Sequence, residues 1–177
     1  MAMYKVSPAV KARKQPLATC CWLTCLEMLF IWKNDKGDKS KDASAILEQM
    51  DKSPNLFPYD MKNSGIAPGE CRETSRQLGL QCGSGDIEAD VLHKCLQMHG
   101  PMWVAGDWVQ GANENVKQKE DHSHVIVVTG CDPESGKIKF INPWQNLDLS
   151  ESDGTVAWLT ARAGKWKNCD ASVMYWK

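Results

Sequence analysis

Apolar residues recur at helical spacing through the first half of the chain and in short strand-like runs through the second. From Cys20 to Trp32 the positions Cys21, Leu26, Met28, Leu29, Phe30 and Trp32 crowd nearly all round a helix, which predicts a buried central helix. Thr19 or Cys20 stands at its N-cap position. Residues 1–19 read as extended, because Pro8 and Pro16 oppose helix. Behind the helix comes a polar loop, Lys33 to Lys41, then a short helix from Ala43 to Met50 closed by the Ser53-Pro54 turn. A third helix is expected from about Pro68 to Leu78, with proline in its first turn and Gly79 past its end. Ile87, Val91, Leu92, Cys95 and Leu96 place a fourth over Asp86 to Met98, stopped by Gly100-Pro101.

After Pro101 the pattern changes. Met102 to Ala105, Val125 to Val128 and Ile138 to Ile141 read as strands, the last two joined as a hairpin by Asp132-Pro133-Glu134-Ser135-Gly136. Val156 to Leu159 and Val173 to Trp176 are weaker strand candidates, and the polar span Asp107 to Asp121 reads as a loop. Helices first and an antiparallel sheet afterwards make an α+β protein. The 177 residues suit one domain, residues 1–177, with a core that needs no metal or disulfide staple.

Composition narrows the function classes. Hydrophobic residues make up 42% and charged residues 24%, the globular range. A net charge of −1 gives no global attraction to nucleic acid or to a lipid surface. Lys5, Lys11, Arg13 and Lys14 form a small basic patch, read as a solvated arm. Eight Trp are unusual but name no function. The eight Cys do not read as a disulfide framework, since no secretory signal precedes the domain and Cys25, Cys95 and Cys131 lie inside apolar segments. The expectation is a reducing compartment, the cytoplasm of the producing cell or of a target cell, with export by a dedicated secretion system compatible with the absence of a signal. No apolar run approaches the roughly 18 residues of a membrane span. No C-x-x-C pair, P-loop or dinucleotide glycine fingerprint is present, so neither metal nor cofactor is expected.

The candidate chemistry starts at Gln15 and Cys21, six positions apart, with the central helix opening at the cysteine. A thiol nucleophile needs a donor for the developing oxyanion and a helix N-terminus that favours its anion. The glutamine and the helix start supply both. His124 directly precedes the apolar run Val125 to Val128, where a general base can face that helix start. Asn142 follows across the hairpin and can accept the other ring N–H, with Trp144 two residues on to cover the bond. A Cys⁻/His⁺ pair is the expected resting state. Cys20 is the rival nucleophile, Cys25 is read as core, and Trp108 and His122 are candidate walls of the substrate cleft.

These residues resemble those of the papain-like cysteine proteases. Gln15 matches the oxyanion glutamine, Cys21-Trp22 the nucleophile and the tryptophan after it, His124 and Asn142 the remaining triad members, and Trp144 the shielding tryptophan. Short, and without the disulfides of eukaryotic papains, the chain is similar to compact bacterial members: effector proteases of plant pathogens and double-glycine leader peptidases of bacteriocin exporters. Cys20 stands where papains carry Ser or Gly, and Asn142 where many bacterial members carry Asp. The resemblance implies a two-lobed fold, with a helical lobe over about 15–100 carrying the nucleophile helix and a β lobe over about 101–177 carrying His124. It also implies a monomeric endopeptidase acting on a protein substrate, used as an effector or toxin inside another cell, with an immunity or inhibitor protein as neutralising partner. The same triad serves glutamine deamidation, transglutamination or non-protein amide hydrolysis, and an idle papain-like binding module is the alternative outside enzymes.

Overall fold

The computed structural model describes residues 2–17, 19–38, 65–107, 123–144, 151–164 and 169–177. The expected helix over Ala43 to Met50, the Ser53-Pro54 turn, and all of the 107–121 loop but Asp107 lie outside these residues.

Helix α1 covers Cys21–Asp35, and Trp22, Cys25, Leu26, Met28, Leu29, Phe30 and Trp32 are all buried along it. A helix with so little wet surface belongs at the centre, as its apolar pattern predicts. Cys20, not Thr19, is its N-cap, and no side chain caps it. Pro68–Glu70 form a 3-10 turn that runs into α2, Cys71–Gln77. Helix α3 spans Ala89–His99 and stops at Gly100. No helix among the described residues is long and apolar enough to cross a membrane.

Among the described residues the sheet has seven strands, β1 (Tyr4–Lys5), β2 (Leu80–Gly83), β3 (Met102–Asp107), β4 (Ser123–Cys131), β5 (Lys137–Ile141), β6 (Ser152–Thr155) and β7 (Val173–Trp176). Their order is β2-β7-β3-β4-β5-β6, with β1 also paired to β4, and every pairing is antiparallel. Two of these strands, β1 and β2, come from the N-terminal part of the chain, so the sheet is not purely a product of the second half. The register of β4 on β5 shifts between Val128 and Gly130, and β1 pairs with β4 at Gly130 and Cys131, beyond the last β3 partner, Val128. A Cβ on Gly130 would lie 2.7 Å from the Tyr4 carbonyl oxygen, so glycine is what lets the N-terminal segment approach.

Val156 to Leu159, expected as a strand, is instead the start of helix α4, Val156–Ala163. Val156, Leu159 and Ala163 are its buried residues, which is helical spacing. The Thr155 hydroxyl caps it by accepting from the Trp158 N–H at 3.2 Å.

Helix α1 packs on β4 and β3, α3 on β4 and β1, α4 on β3 and β6, and α2 on β2. Tryptophans tie this packing together. Trp103 of β3 donates its indole N–H to the Trp22 carbonyl at 3.0 Å, and Trp176 of β7 donates to the Leu29 carbonyl at 3.1 Å. Trp32 donates to the Pro8 carbonyl at 2.8 Å. An indole fills volume and carries one donor, so each fastens α1 to a neighbour without leaving a buried N–H unmet.

Candidate active site

Cys21 is the first residue of α1, so its thiol sits where unpaired first-turn N–H groups point. Its own N–H and that of Trp22 stabilise the sulfur, and the Val125 N–H from β4 does so more strongly than either. One helical turn on, the Cys25 thiol donates to the Val125 carbonyl at 3.4 Å. Helix α1 is thus bonded to the carbonyl of Val125, the residue after His124, while the Val125 N–H acts electrostatically on the Cys21 sulfur. The sequence reading of Cys25 as core holds for its burial but missed this bond. Its spacing of one turn from Cys21 was the available signal.

Gln15 is buried, and its side-chain N–H donates to the Leu17 carbonyl at 2.8 Å. The Cys20 N–H donates to the same carbonyl at 3.1 Å, closing the short turn between the glutamine and the helix. The Gln15 backbone N–H donates to the Pro143 carbonyl at 2.8 Å. The segment before Cys21 is thus joined directly to the residue after Asn142.

His124 lies on β4 opposite Gly106 of β3 and is 1% exposed. Its Nε2 is 2.8 Å from the Asn142 Oδ1, and the Trp144 backbone N–H donates to that same oxygen at 3.1 Å. A backbone N–H can only donate, so the atom between them must be the amide oxygen and Nε2 must carry the imidazole proton. That fixes the tautomer. Nδ1 is left as a buried lone pair with no hydrogen-bond partner among the described residues. The Trp144 ring stands edge-on to the imidazole, centroids 6.3 Å apart at 89°.

Burial dominates the electrostatics. It pushes the Cys21 thiol up to about 11, with the three backbone N–H groups pulling less strongly the other way. It pulls the His124 imidazole down to about 4, and the Asn142 bond offsets this in part. Both shifts favour neutral forms. These directions run against the thiolate–imidazolium pair expected from the sequence.

The structure brings Cys21 beside the strand of His124, His124 onto Asn142 and Trp144, and Gln15 onto Pro143. Trp22 is buried, with its carbonyl taken by Trp103. Cys20 is also buried, immediately before α1. Trp108 and His122 lie outside the described residues. Among the described residues the one cluster suited to a metal ion is Cys71, Cys169 and Asp170, which shares no residue with this site.

No curated protein matches the chain. The family model of the papain-like cysteine protease AvrRpt2 matches residues 5–163, a span that takes in Gln15, Cys21, His124, Asn142 and Trp144. The chain therefore belongs to that family of papain-like cysteine proteases.

Proposed function

We propose that the chain is a cysteine endopeptidase in which Cys21, His124 and Asn142 form the triad. The observation that carries this reading is the shared Asn142 oxygen, which commits the His124 proton to Nε2 and leaves the Nδ1 lone pair to act as base. Nδ1 takes the Cys21 thiol proton as the sulfur attacks the scissile carbonyl. The oxyanion is held by the Gln15 side-chain amide and the Cys21 backbone N–H. The imidazolium then gives its proton to the leaving amine, and the acyl-enzyme forms. Nδ1 next draws a proton from water, whose oxygen attacks the thioester and releases the acid. Throughout, Asn142 keeps the ring aimed. Because thiol and imidazole start neutral, their charges arise only as the reaction proceeds, among donors already in place.

In this reading the substrate is a protein inside another cell, and the chain is a bacterial effector or toxin that acts as a monomer in a reducing cytoplasm. It is one domain whose cleft an immunity or inhibitor protein would block. The family assignment and the eight free cysteines support it.

Purified protein incubated with a target-cell lysate should generate new peptide termini, mapped by mass spectrometry, that vanish with Cys21→Ala and persist in part with Cys20→Ala. Termini lost only in Cys20→Ala would move the nucleophile by one residue. A gain of one mass unit on glutamines without new termini would replace proteolysis by deamidation. No change of either kind would leave a binding module.

A further inference from the structure

Two thiols distant in sequence meet away from the triad. Cys71 opens α2 and is 0% exposed, while Cys169, in the segment leading into β7, is partly exposed. The Cys71 S–H donates to the Ala67 carbonyl at 3.8 Å, and the Cys71 and Cys169 sulfurs lie within 4.8 Å of each other and of an Asp170 carboxylate oxygen. Backbone and side chain hold the contact. The Asp170 N–H donates to the Pro68 carbonyl at 3.1 Å, the Arg72 N–H to the Asp170 carboxylate at 3.2 Å, and the Arg72 guanidinium to the Asp170 carbonyl at 2.8 Å. Farther along, the Ser172 N–H donates to the Gly83 carbonyl at 3.0 Å and Ala105 donates to the Ser172 carbonyl at 2.8 Å.

The two sulfurs differ in access and in character. A cavity of about 240 Å³ is lined by Cys169, with Arg72, Ser84 and Ser172 in its wall, and Cys71 is not part of that lining. The neighbouring Cys71 thiol and the Ala171 N–H hold the Cys169 thiol below the ordinary range. Cys71, buried beside the Cys169 sulfur, is pushed well above that range. This is the asymmetry of an attacking thiol and a resolving one.

We propose that Cys169 and Cys71 are a redox-active dithiol, modified at Cys169 by small anionic disulfides of the glutathione class and closed by Cys71 into an intramolecular disulfide. The cavity gives one end of such a disulfide a way to the Cys169 sulfur, and Arg72 in its wall presents a cation to the carboxylates. The Cys169 thiolate attacks one glutathione sulfur, the glutathione S–S bond breaks, and the departing thiolate takes up a proton. Cys71 then loses its proton and its sulfur attacks the Cys169 sulfur of the mixed disulfide, expelling the second glutathione, which is protonated in turn. Two protein thiols are oxidised by two electrons, and one glutathione disulfide becomes two thiols. The bridge would fasten α2 to the lead-in of β7.

The full chain is equilibrated in glutathione buffers of rising oxidised share, quenched in acid, alkylated and mapped without reduction. The Cys71–Cys169 cross-link should be the first protein disulfide to appear, and the cross-linked chain should melt on the order of 10 °C higher. Cys71→Ser should trap a glutathione adduct on Cys169, and Cys169→Ser should leave Cys71 unmodified. The proposal is overturned if the pair stays reduced while Cys82 and Cys95 take up glutathione. Reaction of Cys71 in Cys169→Ser at the wild-type rate would also overturn it. So would protection of both thiols from alkylation by one equivalent of zinc, which would make the pair a metal site. Mapping of the unmodified chain decides the matter even where a variant fails to fold.

Discussion

The Asn142 oxygen settles both the direction of its own amide and the tautomer of His124, because two donors converge on it. Asn142→Ala removes that acceptor, so the ring can turn and carry its proton on either nitrogen. We predict a fall in kcat of roughly a hundredfold with KM little changed, read from steady-state kinetics on a peptide substrate. A loss confined to KM would sink the orienting role. Gln15, Cys21, His124 and Asn142 stand out in the sequence as candidates because each sits at a marked local position: a loop before a helix, a helix start, a strand start, a strand end. The resting protonation does not. Burial acts on it, and burial belongs to the packed whole: it pushes the Cys21 thiol up and the His124 imidazole down, against the charged pair that local pattern suggests.

Among the elements, helix ends were easier to read than sheet edges. Gly100 marks the end of α3 in sequence, and the structure gives it φ +85° with Trp32 pressed against it. A Cβ there would lie 2.2 Å from the Trp32 ring, which is itself tied to Pro8. Gly100→Ala should cost about 3 kcal/mol, from strain at positive φ plus overpacking, measured by denaturant unfolding. A cost below about 1 kcal/mol would mean the ring moves aside freely. By contrast, β2 (Leu-Gln-Cys-Gly) and β6 (Ser-Asp-Gly-Thr) carry no alternation or β-branched run. They are strands because β7 and β5 offer them ladder partners, which no local pattern records. Helix α4 was misread for a related reason: its short apolar start looks alike in either period until the Thr155 cap is seen.

Taken as a whole, the molecule stores a pH dependence in His124. Its pKa is near 4 folded against an ordinary 6.5, so the unfolded chain binds a proton that the native state refuses. Stability contributed by the buried neutral ring is intact above about pH 6.5 and is lost as pH falls toward 4. The loss should reach about 3 kcal/mol, and urea unfolding across that window should show it. His124→Gln should flatten this part of the curve. An unchanged slope in the variant would assign the acid sensitivity elsewhere. Sheet order and the indole ties to α1 also belong to this scale, and composition hinted at the latter only as an excess of tryptophan.

The basic arm that leads to Gln15 is not simply solvated. Lys5 pairs with Glu151 at 2.5 Å, Lys11 with Asp35 at 2.8 Å and Arg13 with Glu27 at 3.9 Å. All three pairs are partly exposed, so dissolved ions screen them. His124 is anchored in the core, whereas the approach to the proposed oxyanion donor is partly anchored by charge. Ionic strength therefore acts on one side of the site and spares the other, and it is the solution variable to hold fixed when variants are compared.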